Sequence, residues 1–253
     1  LTSGDDNVAV GYDAMTANNT GSYNTAVGVD AMQGNLSGAE NAAFGYQALF
    51  SNTTAGNNTA IGRLAMYANT TGDLNVAVGS TALDANTTGS SNTAIGVEAL
   101  GKSTTSDTSV GYYAMENNTT GDGNVAIGKE ALTTLVGAID NVAIGQQALK
   151  VNLGRSNVAV GGRAGLACTD GFTNVMVGEI AGADVTTGDN NMLLGNEAGR
   201  TGSPGGQIST QNSTISLGDE NIGEANIQVD WSVASDQRDK TDFTALDLGL
   251  DFV

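Results

Sequence analysis

The sequence repeats a short motif with a 17-residue period, and this periodicity constrains the fold more than any other feature. Most copies begin with Asn-x-Ala-(Val/Ile)-Gly, as in residues 24–28 and 58–62. Between the twelve copies, a single 15-residue step and a single 16-residue step interrupt the period. The first residues of the copies are Asn7, Asn24, Asn41, Asn58, Asn75, Asn92, Asp107, Asn124, Asn141, Asn157, Asn174 and Asn191. A fixed period of this size predicts stacked coils rather than a globular domain with a pocket.

The composition indicates that a single column of such coils would have a thin core. The 253 residues include 36 Gly, one Pro and no His, and aromatic residues make up 5%. Ala and Gly bury little surface, while folding gains about 25 cal/mol per Å² of buried apolar area. We therefore expect several columns to associate. The absence of His also excludes His-based catalytic triads and His metal sites.

The charge balance excludes two classes of partner. The chain has 27 acidic and 9 basic residues, for a formal net charge of −18. Nucleic-acid phosphates and anionic membrane surfaces would repel it, and no apolar run of the sequence is long enough to span a bilayer. We expect neither nucleic-acid binding nor membrane insertion. The lone Cys168 excludes an intrachain disulfide, and we expect it to be a small buried residue.

Each position of the repeat, numbered from its Asn, has its own expected conformation. Positions 1–4 predict a short strand, with positions 2 and 4 on one face and the small position 3 on the other. Position 5 is always Gly, which predicts a positive φ or a close neighbouring backbone. Position 8 is always Ala and position 9 usually Leu or Met, so we expect one helical turn there. The closing Asn-Thr-Thr-Gly-(Asp/Ser) segment, as in residues 69–73, predicts a turn with Asx hydrogen bonding and a Gly at positive φ.

Together these features predict a mainly β fold. We expect a repetitive parallel β-roll or solenoid of about twelve 17-residue coils with short helical turns, assembled as a homotrimer. Strands stacked in parallel would lie about 4.8 Å apart and would form ladders of Val/Ile, Ala and Asn. Position 9 becomes Gly at Gly165, Gly182 and Gly199, so we expect the column to narrow or to change its packing near residue 157.

The Asn-x-Ala-(Ile/Val)-Gly unit resembles the head repeats of trimeric autotransporter adhesins. The resemblance covers residues 1 to about 200. It implies left-handed parallel β-rolls with three chains side by side. The repeats of that family are shorter than those of this chain, so the extra residues here are expected to form the helical turn or a longer outer loop.

A second resemblance lies near the C-terminal end of the sequence. Residues 235–240, Ser-Asp-Gln-Arg-Asp-Lys, resemble the opening of the intramolecular chaperone domain of endosialidase-type phage tail fibres and tailspikes. That resemblance implies a domain that trimerises the fibre and then cuts itself off. It implies Ser235 as the nucleophile, Lys240 as the general base and Ala234–Ser235 as the scissile bond. A Lys serves as a base for a Ser hydroxyl where burial lowers its pKa.

These motifs divide the chain into three parts. Residues 1–200 form the repeat shaft or head, residues 201–234 a degenerate final coil and neck, and residues 235–253 the truncated start of the chaperone domain. Because residue 1 is Leu, we expect the sequence to be a piece of a longer protein.

Three tyrosines are candidate receptor contacts. Tyr12, Tyr46 and Tyr112 share position 6, and the amphipathic Tyr side chain suits contact with a sugar or a protein. The alternative is that these rings fill grooves between coils or chains. Acidic turn residues such as Asp73 and Asp122 offer oxygen ligands for Ca²⁺, but the turns lack the repeat of calcium β-rolls, so we assign no metal site. No cofactor is expected either, because the Gly-rich stretches lack the spacing of a phosphate loop.

The repeats and the C-terminal motif together favour a structural and host-recognition segment of a trimeric phage tail fibre. Its expected partners are other fibre or tail proteins and a host cell-surface receptor, either glycan or protein, and its expected location is the virion. We expect no enzymatic activity apart from the self-cleavage. A bacterial trimeric adhesin or filament head on the extracellular surface is the second hypothesis, and a depolymerising tailspike is the third.

Overall fold

The computed structural model describes residues 4–103 and 105–224, and its described residues up to Asn221 form a parallel β-solenoid. Thirteen strands make one sheet, and their order in the sheet is their order in the chain. The strands are β1 (Val8–Val10), β2 (Thr25–Val27), β3 (Ala42–Phe44), β4 (Thr59–Ile61), β5 (Val76–Val78), β6 (Thr93–Ile95), β7 (Thr108–Val110), β8 (Val125–Ile127), β9 (Val142–Ile144), β10 (Val158–Val160), β11 (Val175–Val177), β12 (Met192–Leu194) and β13 (Ile215–Leu217). The described residues contain no helix. The predicted parallel solenoid is confirmed.

The register of the sheet follows the repeat position for position. A 15-residue step joins β6 to β7, a 16-residue step joins β9 to β10, and a 23-residue step joins β12 to β13. In all three pairs, position 3 of one strand still lies beside position 3 of the next. Changes in coil length are therefore absorbed in the turns. We number the coils 1 to 12 from the first residues of the twelve copies.

Alternation along each strand separates a small-residue interior from an apolar exterior. Position 3, which is usually Ala as in Ala60, is buried in every strand from β2 to β13. The Ala of position 8 and the Leu or Met of position 9 complete the core, as Ala65 and Met66 do in coil 4. Positions 2 and 4 face outwards, as the period of two predicts. The aliphatic residues of position 4 therefore lie outside the core of their own column.

The predicted helical turn at positions 6–9 is wrong, because two of its residues have positive φ. Gln47 and Leu49 both have φ of 53°, and the same two positions have positive φ in the other coils. A right-handed helix requires negative φ at every residue. The N–H of Ala48 donates to the carbonyl of Gly45 at 3.3 Å, which closes a tight turn. The N–H of Leu49 donates to the carbonyl of Ala65 in the next coil at 2.9 Å.

The Gly of position 5 meets both conditions that its sequence position suggested. Its φ lies between 114° and 145° in all twelve coils. A Cβ at Gly79 would lie 2.3 Å from the carbonyl oxygen of Gly96 in the next coil. The Gly of the closing turn is different, because Gly72 is not among the residues of positive φ. That part of the prediction is wrong: Gly72 instead provides room, since a Cβ there would lie 2.2 Å from the carbonyl oxygen of Gly89.

Two ladders of buried Asn run along the column: position 1 is Asn in every coil except coil 7, and position 12 is Asn in coils 1 to 5, 7 and 9. At position 1, the N–H of Asn58 donates to Oδ1 of Asn41 (3.0 Å) and its Nδ2 donates to the carbonyl of Gly72 (2.9 Å). At position 12, Nδ2 of Asn52 donates to Oδ1 of Asn35 (2.8 Å). Among the described residues, no buried side-chain nitrogen or oxygen lacks a hydrogen-bond partner. The polar interior is therefore satisfied by the protein itself.

The core packing changes after residue 157 through an exchange of large and small residues. Position 9 becomes Gly in coils 10 to 12, and position 3 becomes Met176 in coil 11 and Leu193 in coil 12, while coil 10 keeps Ala159. A Cβ at Gly182 would lie 2.5 Å from Sδ of Met176. The large side chain thus moves from the turn to the strand and fills the same interior space. Cys168 is fully buried here, as expected, and burial raises the pKa of its thiol to about 12.

We predict that Gly79→Ala destabilises the solenoid by about 2 kcal/mol or more, because the new side chain combines a strained φ with a backbone clash. Gly162→Ala is the matched control, since a Cβ at Gly162 meets no atom within 4 Å. Chemical denaturation followed by circular dichroism measures both. Equal loss of stability in the two variants would contradict this account of position 5.

Candidate functional site

The outer face of the sheet is an uninterrupted, largely apolar surface, which we call the sheet face. It consists of positions 2 and 4 of all thirteen strands, and none of these residues is charged. The position-4 residues are Val10, Val27, Phe44, Ile61, Val78, Ile95, Val110, Ile127, Ile144, Val160, Val177, Leu194 and Leu217. Phe44 is 40% exposed and Ile61 is 41% exposed. This degree of exposure recurs along the column, so the face is accessible from one end to the other.

The size of the sheet face indicates an interaction surface. Thirteen strands at about 4.8 Å spacing give a length of roughly 58 Å, and the two side-chain rows lie about 7 Å apart. The area between the rows alone is on the order of 400 Å², which is as large as the functional patches of soluble proteins. In a chain with a net charge of −18, a face without charge is also where another copy can approach with least repulsion.

The three candidate tyrosines share one ladder beside the sheet face but do not converge on one site. Tyr12 is 73% exposed, Tyr46 is 46% exposed and Tyr112 is 45% exposed. Three coils separate Tyr46 from Tyr112 along the column. The ring of Tyr112 packs edge-on against Tyr113 at 4.0 Å, and Nζ of Lys129 lies 6.0 Å from its centroid. Their role in receptor contact stays a prediction.

The predicted self-cleavage residues, Ser235 and Lys240, lie outside the described residues, and so does the Ala234–Ser235 bond. Within the part of the chain that the structure describes, no group of three or more His, Cys, Asp or Glu residues could hold a metal ion. The same residues contain no helix with the length and apolar character needed to cross a membrane.

The 15-residue step changes both Asn ladders at one place. Ser103 stands at position 12 of coil 6, and Asp107 stands at position 1 of coil 7. Asp107 is buried, and its carboxylate accepts hydrogen bonds from the hydroxyl of Ser103 (2.9 Å) and Nδ2 of Asn118 (2.6 Å). Its other oxygen accepts from the backbone N–H of Asn124 (2.8 Å). Burial raises the pKa of Asp107, and the hydrogen bonds from Asn124 and Ser103 oppose that rise.

A neighbouring hydroxyl replaces the donor that Asp107 lacks. An Asn at position 1 donates to the carbonyl 14 positions later, which here belongs to Gly121. The carboxylate of Asp107 has no hydrogen to offer, and the hydroxyl of Thr105 donates to Gly121 instead. Coil 7, which follows the short coil, therefore begins with an acceptor, whereas the other coils begin with an amide.

We predict that Asp107→Asn destabilises the protein by about 1–3 kcal/mol, although eleven coils carry Asn at this position. Both oxygens of Asp107 accept hydrogen bonds, so the side-chain amide nitrogen of the variant would face a donor in either orientation. The donor is Nδ2 of Asn118 on one side and the N–H of Asn124 on the other. Asp140→Asn is the control, because Asp140 is exposed and the change in charge is the same. The stability of the two variants is compared through their midpoints of denaturant unfolding. An Asp107→Asn protein as stable as the unaltered chain would contradict the acceptor role.

The structure also contains a groove that our sequence analysis missed. It has a volume of about 350 Å³ and lies where the closing turns of coils 8, 9 and 10 meet. Its lining includes Leu153, Arg155, Asp170 and Phe172. The signal that could have located it is the single 16-residue step, together with Leu153 and Phe172 at turn positions that are polar in most other coils.

No family model, curated protein or solved structure matches this chain. The fold, the sheet face and the groove are therefore the basis on which a function can be argued.

Proposed function

We propose that this solenoid is a structural and host-recognition segment of a homotrimeric fibre of the phage tail-fibre type. The observation that carries the proposal is the sheet face, which is uncharged and whose position-4 residues are exposed or half-buried along the whole column. Burying such a surface is favourable by about 25 cal/mol per Å², and a single column leaves it in water. Association of several columns into a fibre removes this apolar surface from water.

A second copy of the chain suits the sheet face better than an unrelated protein does. The face repeats at the spacing of the coils, so a partner with the same spacing can contact it from end to end. Cyclic symmetry satisfies every copy at once, because each contributes the same surface. The number three comes from the resemblance of the repeat to trimeric adhesin heads.

Attachment follows from the shape of the segment and from the C-terminal resemblance. A column about 58 Å long with its apolar face covered exposes its turns to the surroundings, where they can meet a receptor. Residues 235–240 resemble the start of a chaperone domain of phage fibres, which favours a virion over a cell surface.

A bacterial trimeric adhesin is the second candidate, because its head repeats resemble the Asn-x-Ala-(Ile/Val)-Gly unit on which the sheet is built. Neighbouring genes distinguish the two: capsid and tail genes support the fibre, while a membrane anchor or secretion signal supports the adhesin.

We predict that the purified chain sediments as a trimer, at about three times its monomer mass of 25.4 kDa. Ile61→Asp and Ile127→Asp place a charge on the sheet face, so we expect each variant to shift towards monomer. Leu36→Asp adds the same charge at an exposed Leu in a turn, away from that face, and is expected to stay trimeric. A stable folded monomer of the unaltered chain would overturn the proposed assembly.

We also predict that a longer chain with a complete domain after residue 253 cleaves itself before Ser235. Ser235→Ala removes the proposed nucleophile and is expected to stay intact. Mass spectrometry of the purified products measures both results. Cleavage at the same bond in the Ser235→Ala protein would end this assignment.

A further inference from the structure

The groove between coils 8 and 10 exists because coil 9 is one residue short. Its closing segment, residues 152–156, has five residues, while residues 168–173 supply six in coil 10. The register of β9 and β10 is unaffected, so the whole deletion falls on the turn. Residues 137–139, 153–155, 170 and 172 line the resulting space. Its volume of about 350 Å³ is in the range of small-molecule binding sites.

The apolar side chains of the groove are exceptions to the repeat. Leu153 stands at position 13, where most coils have Thr, and it is 51% exposed. Ile139 and Phe172 stand at position 16, which is Asp, Ser or Gly in most other coils, and each is 40% exposed. None of the three belongs to the buried core. Departures from a local rule that gather at one place, with no gain in packing, indicate function.

Two charged side chains border the same groove without neutralising each other. The guanidinium of Arg155 lies 5.8 Å from the centroid of the Phe172 ring. Among the described residues, neither Arg155 nor Asp170 takes part in a salt bridge. The groove therefore offers an aromatic face, a set of hydrogen-bond donors and a carboxylate acceptor together.

We propose that this groove binds a neutral saccharide unit of a cell-surface glycan. A pyranose ring has a face of C–H groups that packs on Phe172 and Leu153, and hydroxyls that accept from Arg155 and donate to Asp170. An anionic sugar fits less well, because Asp170 and the net charge of −18 repel it. This inference rests on the proposed attachment role and names the chemistry of the receptor.

A second copy of the chain is a poorer occupant of this groove. An apolar contact between copies would bury Arg155 and Asp170 without partners, and unpaired buried charges are strongly destabilising. A saccharide supplies hydroxyls to both groups.

The test is a titration of the full chain, in its native oligomeric state, with the methyl glycosides of glucose, galactose, mannose and N-acetylglucosamine. Saturation-transfer NMR measures binding, with an expected Kd of about 1 mM for at least one of them. Phe172→Ser introduces the residue that Ser22 and Ser90 supply at the same position, so the fold is expected to persist. It should weaken binding about ten-fold through the loss of the aromatic contact.

Leu153→Thr should also weaken binding, because it removes part of the apolar wall. Leu36→Thr is its matched control: Leu36 occupies the same position 13, is 45% exposed and lies away from the groove, so binding should be unchanged. Arg155→Gln should weaken binding without changing the oligomer.

Failure of all four glycosides to bind, or equal binding by Phe172→Ser, would overturn the saccharide site. A lower oligomer mass for Phe172→Ser would also overturn the saccharide site, because the groove would then be a contact between copies of the chain. A trimer that binds no sugar would leave the proposed fibre role standing. An unaltered chain that sediments as a monomer would contradict that role whatever the sugar result.

Discussion

The hydrogen bonds of the position-1 Asn hold this structure together, because each such residue bonds to the coils on both sides of it. The N–H of Asn58 donates to Oδ1 of Asn41 (3.0 Å), and Oδ1 of Asn58 accepts the N–H of Asn75 (2.9 Å). Nδ2 of Asn75 then reaches the carbonyl of Gly89 (2.8 Å). The position requires an acceptor and a donor on one short side chain, and Asn provides both. The strands of coils 1 to 9 contribute small residues to the core, because the Leu or Met of position 9 fills it, and they direct their aliphatic residues outwards.

Each coil is strained on its own and is stabilised by its neighbours. Residues with full side chains, such as Leu49 and Leu74, hold φ of 53° and 61°. That conformation costs about 1–2 kcal/mol per residue in an isolated chain. Here the N–H groups of both residues donate to carbonyls of adjacent coils, at 2.9 and 3.2 Å. Stability therefore resides in the contacts between coils, as in other repeat proteins.

The sequence predicts the features that depend on period, and it misses those that depend on contacts between coils. The alternation around Ala60 and the constraint on Gly79 follow from the repeat itself. The turn at Ala48 and Leu49 does not, because helix propensity describes a local preference that hydrogen bonds to the next coil override. The sheet face could be predicted as a stripe from the position-4 residues. The 16-residue step marks the place of the groove at Phe172 but not its shape, because the shape depends on how three turns close around a missing residue.

The register of the sheet survives a 15-residue, a 16-residue and a 23-residue step between strands. A gene that encodes such a chain can gain or lose a whole coil by recombination between its own repeats, and the remaining coils still stack in register. The length of the column can then change in evolution independently of the side chains on its surface. Descendant chains could then differ in the length of the column while their turns keep the same side chains at the surface.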